Sequence, residues 1–123
     1  WCAGPHFEAQ FEAATGRNLS AREIAAAAQS GDAQAKAAME RWLDRFARSI
    51  ATLVNILDPD AIVLGGGLSN IDVLYRELPA RVEHYAFTPE GPTLIVKNKH
   101  GDSSGVRGAA WLWHEGAPAG LPR

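Results

Sequence analysis

The sequence contains almost no cysteine and almost no net charge, and each shortage excludes a class of protein. Cys2 is the only cysteine in 123 residues, so no internal disulfide can form and we expect a reducing, cytoplasmic location. Twelve basic and 14 acidic side chains leave a net charge of −2, which gives no electrostatic footprint for nucleic acid. No apolar run approaches the ~20 residues that cross a bilayer. We therefore expect neither nucleic acid nor a membrane among the partners.

Methionine is equally scarce. The chain begins at Trp1, and Met39 is its only methionine. An open reading frame does not naturally begin in this way, so we expect a piece of a longer protein. Hydrophobic residues make up 46% of the chain, which is enough for one small domain with a core of its own.

Metal ligands and catalytic sets are also lacking. Cys2 and His6 are four residues apart, but no second pair of ligands follows, and the other histidines are scattered at positions 84, 100 and 114. No pattern of serine, histidine and aspartate, or of cysteine and histidine, indicates a nucleophilic enzyme. We therefore assign no catalytic residue and no metal ligand within this chain.

The first two predicted helices are short, and each has a recognisable end. The stretch PHFEAQFEAAT, residues 5–15, places two phenylalanines four apart and runs into Gly16, which predicts a helix with a glycine stop. Ser20 and Glu23 then form the pattern of a capping box ahead of an alanine-rich run. We expect this second helix to end near Gly31.

The strongest predicted element is a long helix over residues 32–57. Asp32 is the expected N-cap, and Asp58-Pro59 ends the helix because a residue before proline avoids helical geometry. Apolar residues recur at steps of three, four and one, as in a helix that buries one side: Ala35, Met39, Trp42, Leu43, Phe46, Ile50, Leu53, Val54 and Leu57. We expect this stripe to pack against the sheet.

The second half of the chain predicts a βαβα unit. AIVLGG, from residue 61, is a continuous apolar run, as in a strand covered on both faces. Residues 70–86 look helical, with Pro79 kinking or splitting the helix. A second strand over 93–99 and a last helix over 103–115 follow. Two parallel strands do not make a complete sheet, so we expect the missing strands to come from elsewhere.

Three glycines follow the first strand, in DPDAIVLGGGLSN. The G-x-G-x-x-G dinucleotide fingerprint fails here because Asn70 stands where its last glycine belongs, and the Gly-Lys-Ser/Thr of a Walker loop is absent. Two explanations stay open. Either the strand turns too tightly for a Cβ, or a ligand comes close to the backbone at Gly65, Gly66 and Gly67.

Two stretches together resemble a known family. NILDPDAIVLGGGLSN, residues 55–70, and KHGDSSGVRGAAWLW, residues 99–113, resemble the C-terminal part of ROK-family sugar kinases, and most of all their bacterial fructokinase branch. The resemblance implies an α/β fold, as a partial C-terminal lobe of the actin-like, ribonuclease-H-like ATPase fold. Residues 1–115 would form this lobe, with helices followed by the βαβα unit, and residues 116–123 a disordered tail.

The resemblance also implies a reaction and a site. It implies that ATP and fructose give ADP and fructose 6-phosphate with Mg²⁺, and that Gly65, Gly66 and Gly67 match the family's turn beside the nucleotide. The family's zinc ligands, phosphate loop and catalytic aspartate precede Trp1, so Cys2 is not assigned to zinc and the isolated chain is expected to be inactive. The implied partners are ATP, a hexose, the missing N-terminal part of the kinase and a second copy in a homodimer.

Two other functions stay open. ROK proteins include transcriptional repressors, whose winged helix lies N-terminal to the kinase-like body and would be recognised upstream of this segment. The sequence of residues 99–113 resembles the kinases and therefore argues against a repressor. The chain could also be a non-catalytic remnant that serves as a folding or dimerisation module.

Overall fold

The computed structural model describes residues 2–87, 93–99 and 104–111. The elements follow the expected order of three helices and a βαβα unit. They are helices α1 (Gly4–Thr15), α2 (Ala21–Gln29) and α3 (Ala33–Leu57), strand β1 (Ala61–Leu64), a 3₁₀ turn (Gly67–Asn70), helix α4 (Val73–Tyr85), strand β2 (Leu94–Lys97) and helix α5 (Ser104–Trp111). The expected tail at 116–123, and the last helix beyond residue 111, lie outside the described residues.

The predicted helix ends are confirmed. Gly16 closes α1 in the left-handed conformation, with φ 71°. Ser20 and Glu23 form both hydrogen bonds of the capping box at the start of α2. At the start of α3 the Ala35 N–H donates to Asp32 Oδ1 over 2.9 Å. The Ser20 and Asp32 side chains each satisfy a backbone donor that the start of a helix leaves unpaired, a contribution of ~1 kcal/mol per cap.

Helix α3 organises the core. It packs chiefly against α4 and α2 rather than against the strands, so the expected packing of its stripe on the sheet is wrong. The Trp42 ring stacks between Phe7 of α1 and Phe46, with ring centroids 5.0 and 5.4 Å apart. One aromatic side chain of α3 therefore also joins α1 to the core.

The apolar stripe on α3 is narrower than its sequence predicted. Ile50 and Val54 are buried as expected, but Phe46 is only half-buried and Leu53 and Leu57 are exposed. The covered side of the last turns carries Ile50, Ala51 and Val54, and the two leucines lie off that side. The hydrophobic pattern of α3 alone does not show how far α2 and α4 extend along it.

Strands β1 and β2 pair in parallel, with Ala61 opposite Leu94 and Leu64 opposite Lys97. With α4 between them they form the predicted βαβ unit. The strand was expected to be covered on both faces, and this is wrong for the described chain. Ile62 packs against the core while Val63 is 61% exposed, so the described residues cover one face of the strand. Helix α4 runs unbroken through Pro79, so the helix is not split there.

None of the helices in the described ranges is both long and apolar enough to cross a membrane.

The middle and the C-terminal end of α3 allow a matched test of the core. Leu43→Ala removes a side chain buried between helices, and we expect a loss of about 2–5 kcal/mol in the free energy of unfolding. Leu57→Ala, in the same helix at a position 67% exposed, should cost no more than about 0.5 kcal/mol. Urea denaturation of the chain followed by circular dichroism measures both. Equal losses would show that Leu43 does not lie in the core.

Candidate functional site

The glycine turn lies at the carboxyl end of β1. Because β1 and β2 are parallel, this end faces the same edge as the end of β2, where Asn98 and Lys99 follow Lys97. In α/β folds, ligands bind at this edge of the sheet. The sequence-predicted residues Gly65–Gly67 are therefore brought together with the end of the second strand. His100, the next residue in the sequence, lies outside the described residues.

The backbone conformation requires glycine at only one of the three positions. Gly66 has φ 77° and ψ −177°, a combination that side-chain-bearing residues avoid. Gly65 and Gly67 have no left-handed φ, and a Cβ built on either would meet no atom of the described residues within 4 Å. A tight turn therefore explains Gly66, whereas neither the backbone angles nor the packing of the described residues explains the other two glycines. For these two positions the second explanation, a ligand close to the backbone, stays a prediction.

Ser69 and Asn98 hold the turn from the protein side. Ser69 is 1% exposed, and its hydroxyl donates to the Gly66 carbonyl over 2.7 Å. Asn98 Nδ2 donates to the Leu64 carbonyl and to Ser69 Oγ, each over 2.9 Å. Sequence reasoning missed both residues. The available signal was an asparagine directly after β2, at the edge where the glycines lie.

Tyr75 supports the same turn from α4. Its hydroxyl donates to the Ser69 carbonyl over 2.7 Å. Burial raises the pKa of Tyr75 and the nearby Asp72 carboxylate raises it further, so the hydroxyl keeps its proton and remains a donor at neutral pH. Asp72 also pairs with Lys97 across 3.5 Å, linking the start of α4 to the end of β2.

A cavity of about 450 Å³ adjoins the turn. It lies between the N-terminal ends of α1 and α2 and the residues Gly67 and Leu68, and its wall carries Glu8 and Arg22. The Glu8 carboxylate accepts a hydrogen bond from the Ala21 N–H over 2.8 Å, which ties the two helix starts together. A cavity of this size suits a small-molecule ligand.

The described residues contain no group of three or more histidine, cysteine or acidic side chains that could hold a metal ion. Cys2 Sγ lies 3.5 Å from Ser49 Oγ. The side chains that hydrogen-bond the glycine turn are the hydroxyls of Ser69 and Tyr75 and the amide of Asn98.

Comparison with known proteins gives a consistent set of relatives. The family model described as the ROK family matches residues 1–116. N-acetyl-D-glucosamine kinases are 41% identical in Photobacterium profundum, 40% in Vibrio cholerae and 42% in Pasteurella multocida, each over 91–92% of this chain. The chain spans 37% of the length of these relatives.

Solved structures share the fold. A ROK hexokinase from Thermus thermophilus superposes with a TM-score of 0.74 at 28% identity, over 90% of this chain and 38% of the hexokinase. A ROK family glucokinase from Streptomyces griseus, solved in complex with glucose and AMPPNP, superposes with a TM-score of 0.68 at 22% identity, over 88% of this chain and 36% of the glucokinase. The expected fold is supported in its coarse form: a partial domain of the sugar-kinase fold, rich in helices and with a small parallel sheet.

The unequal demands on the glycines can be tested by stability alone. Gly66→Ala forces a Cβ onto a backbone with φ 77°, so we expect a loss of about 1–3 kcal/mol in the free energy of unfolding. Gly65→Ala is the matched control and should change it by no more than about 0.5 kcal/mol, because its Cβ meets open space. Urea denaturation measures both variants. A larger loss for Gly65→Ala would contradict the turn geometry.

Proposed function

Because the chain belongs to the ROK family, we propose that it is part of an ATP-dependent sugar kinase and forms one wall of the nucleotide site. The observation that carries this proposal is the open space above Gly65 and Gly67, in the turn that resembles the family's nucleotide turn. Within the described residues, neither the backbone angles nor the packing requires glycine at these two positions. A nucleotide lying against the backbone would require it.

The shape and polarity of the surroundings support a nucleotide. The cavity of about 450 Å³ beside Gly67 has room for part of one. Its wall carries Arg22, a permanent cation, together with Glu8, whose carboxylate is bound to the Ala21 N–H. Backbone N–H groups at the turn are donors suited to phosphate oxygens. The structural neighbour from Streptomyces griseus carries AMPPNP. ATP is therefore the nucleotide that we assign to this wall.

The proposed reaction transfers the γ-phosphoryl group of ATP to a hydroxyl of a hexose. Within it, Gly65–Gly67 would admit the nucleotide to the backbone, and Ser69 and Asn98 would keep the turn in place. Mg²⁺, when bound, neutralises charge on the phosphates. The base for the sugar hydroxyl and the contacts to Mg²⁺ would come from the remainder of the kinase, since we assign no catalytic residue to this chain.

The sugar has two candidates from two sources. The sequence of residues 99–113, which resembles the fructokinase branch, favours fructose. The relatives from Photobacterium, Vibrio and Pasteurella are named as N-acetyl-D-glucosamine kinases. Their 40–42% identity over almost the whole chain makes N-acetyl-D-glucosamine our first choice and fructose the second. A homodimer and a cytoplasmic location stay predictions.

The reaction is tested with the full-length protein that carries this segment. We expect ATP turnover, measured by coupled ADP release, that depends on one hexose from a panel of N-acetyl-D-glucosamine, fructose, glucose and mannose. The purified 123-residue chain should show no sugar-dependent turnover, because phosphoryl transfer also needs a base and a closed site. No turnover of any hexose by the full-length protein would exclude the kinase, and turnover by the short chain would require a catalytic base within it.

The nucleotide wall is tested by Gly67→Val in the same protein. Its side chain would enter the space that we assign to ATP, so we expect the KM for ATP to rise about tenfold or more, while the KM for the sugar stays within about twofold. Gly67 is a cleaner position than Gly66, whose backbone conformation is itself strained by a side chain. Ala61→Val, an exposed change at the other end of β1, is the control. A rise confined to the sugar KM would place the turn at the sugar instead.

A further inference from the structure

Two carbonyl groups of the glycine turn are each held by two hydrogen bonds. The Leu64 carbonyl accepts from the Asn98 backbone N–H over 3.2 Å and from Asn98 Nδ2 over 2.9 Å. The Gly66 carbonyl accepts from the Ser69 N–H over 3.0 Å and from the Ser69 hydroxyl over 2.7 Å. Asn98 Nδ2 also donates to Ser69 Oγ. The two pairs of bonds therefore form one connected unit centred on the Asn98 amide.

The orientation of these two carbonyls also determines the orientation of two backbone donors, the N–H groups of Gly65 and Gly67. The described chain has no cis peptide bond, and in a planar trans peptide the C=O and the following N–H point in opposite directions. Because the Leu64 and Gly66 carbonyls point toward Asn98 and Ser69, the N–H groups of Gly65 and Gly67 point away from them. Within the described residues, neither N–H donates to any acceptor.

We propose that Asn98 is a positioning residue for the nucleotide, acting through the backbone of the turn. By holding the Leu64 carbonyl directly and the Gly66 carbonyl through Ser69, it aims the Gly65 and Gly67 N–H groups at the ligand side. These are the two glycines of the turn whose φ is not left-handed and whose Cβ positions meet no described atom within 4 Å. The inference rests on the proposed nucleotide site and adds the residue that orients its donors.

The arrangement fits a positioning role better than a purely structural one. Asn98 lies beyond the last paired residue of β2 and outside the buried core. Its amide bonds the ends of two segments, the Leu64 carbonyl of β1 and the Ser69 hydroxyl of the 3₁₀ turn. Preorganised backbone donors lose less free energy to ordering when a ligand binds than donors in a mobile loop.

The test uses the full-length kinase with Asn98→Ala and, separately, Ser69→Ala. Each removes part of the same unit, so each should raise the KM for ATP about tenfold, the effect of losing one oriented hydrogen bond. The KM for the sugar should stay within about twofold. The double variant should be no worse than about twice the stronger single variant, since coupled residues do not add.

Asn55→Ala is the matched control. Its side chain also bonds backbone, accepting from the Phe87 N–H over 2.8 Å, but it lies at the C-terminal end of α3, away from the turn. We expect unchanged KM values for this variant. Thermal melts of all variants exclude general unfolding as the cause of a KM change.

Titration with AMPPNP followed by NMR provides the second readout. In the wild-type protein the Gly65 and Gly67 amide resonances should shift on binding, and in Asn98→Ala they should shift less at the same saturation. If the wild type is active but Asn98→Ala raises neither KM, or raises both equally, the positioning role is overturned while the kinase stands. If the wild type neither binds AMPPNP nor turns over ATP, the proposed function fails and this inference fails with it.

Discussion

The parallel register between β1 and β2 is the constraint on which the candidate site depends. Because Leu64 pairs with Lys97, the next residue of the second strand, Asn98, lies beside the end of the first. A shift of one residue would turn the Asn98 side chain to the other face of the sheet and leave the Leu64 carbonyl without its second donor. Two four-residue strands thus determine which polar group supports the glycine turn.

The helices make that register possible. Helix α4 connects the two strands. It packs against α3 and buries Leu74, Leu78 and Val82, and this packing fixes where β2 begins relative to β1. Tyr75 belongs to the same helix and bonds the Ser69 carbonyl. The packing of α3 on α4 is therefore linked to the turn through one tyrosine, and the core and the site are parts of one structure.

Local signals in the sequence predicted the helices, the order of elements and the parallel pairing well. Caps such as Ser20 and Asp32 act through neighbours three residues away, so the sequence shows them directly. Burial was predicted less well, because Leu57 and Val63 look like core residues until the position of their neighbours is known. At the site, the glycines were recognisable, but Asn98 acts on Leu64 from 34 residues away. No local pattern reveals a pairing of that kind.

The three glycine positions are under different constraints during evolution. Gly66 is required by its own backbone angles, so a descendant that stopped using the nucleotide would still be selected to keep it for folding. Gly65 and Gly67 meet no such demand, and in that descendant they would be free to acquire side chains. Under the proposed role, a relative that retains Gly66 but carries larger residues at the positions of Gly65 and Gly67 would keep the fold without binding the nucleotide.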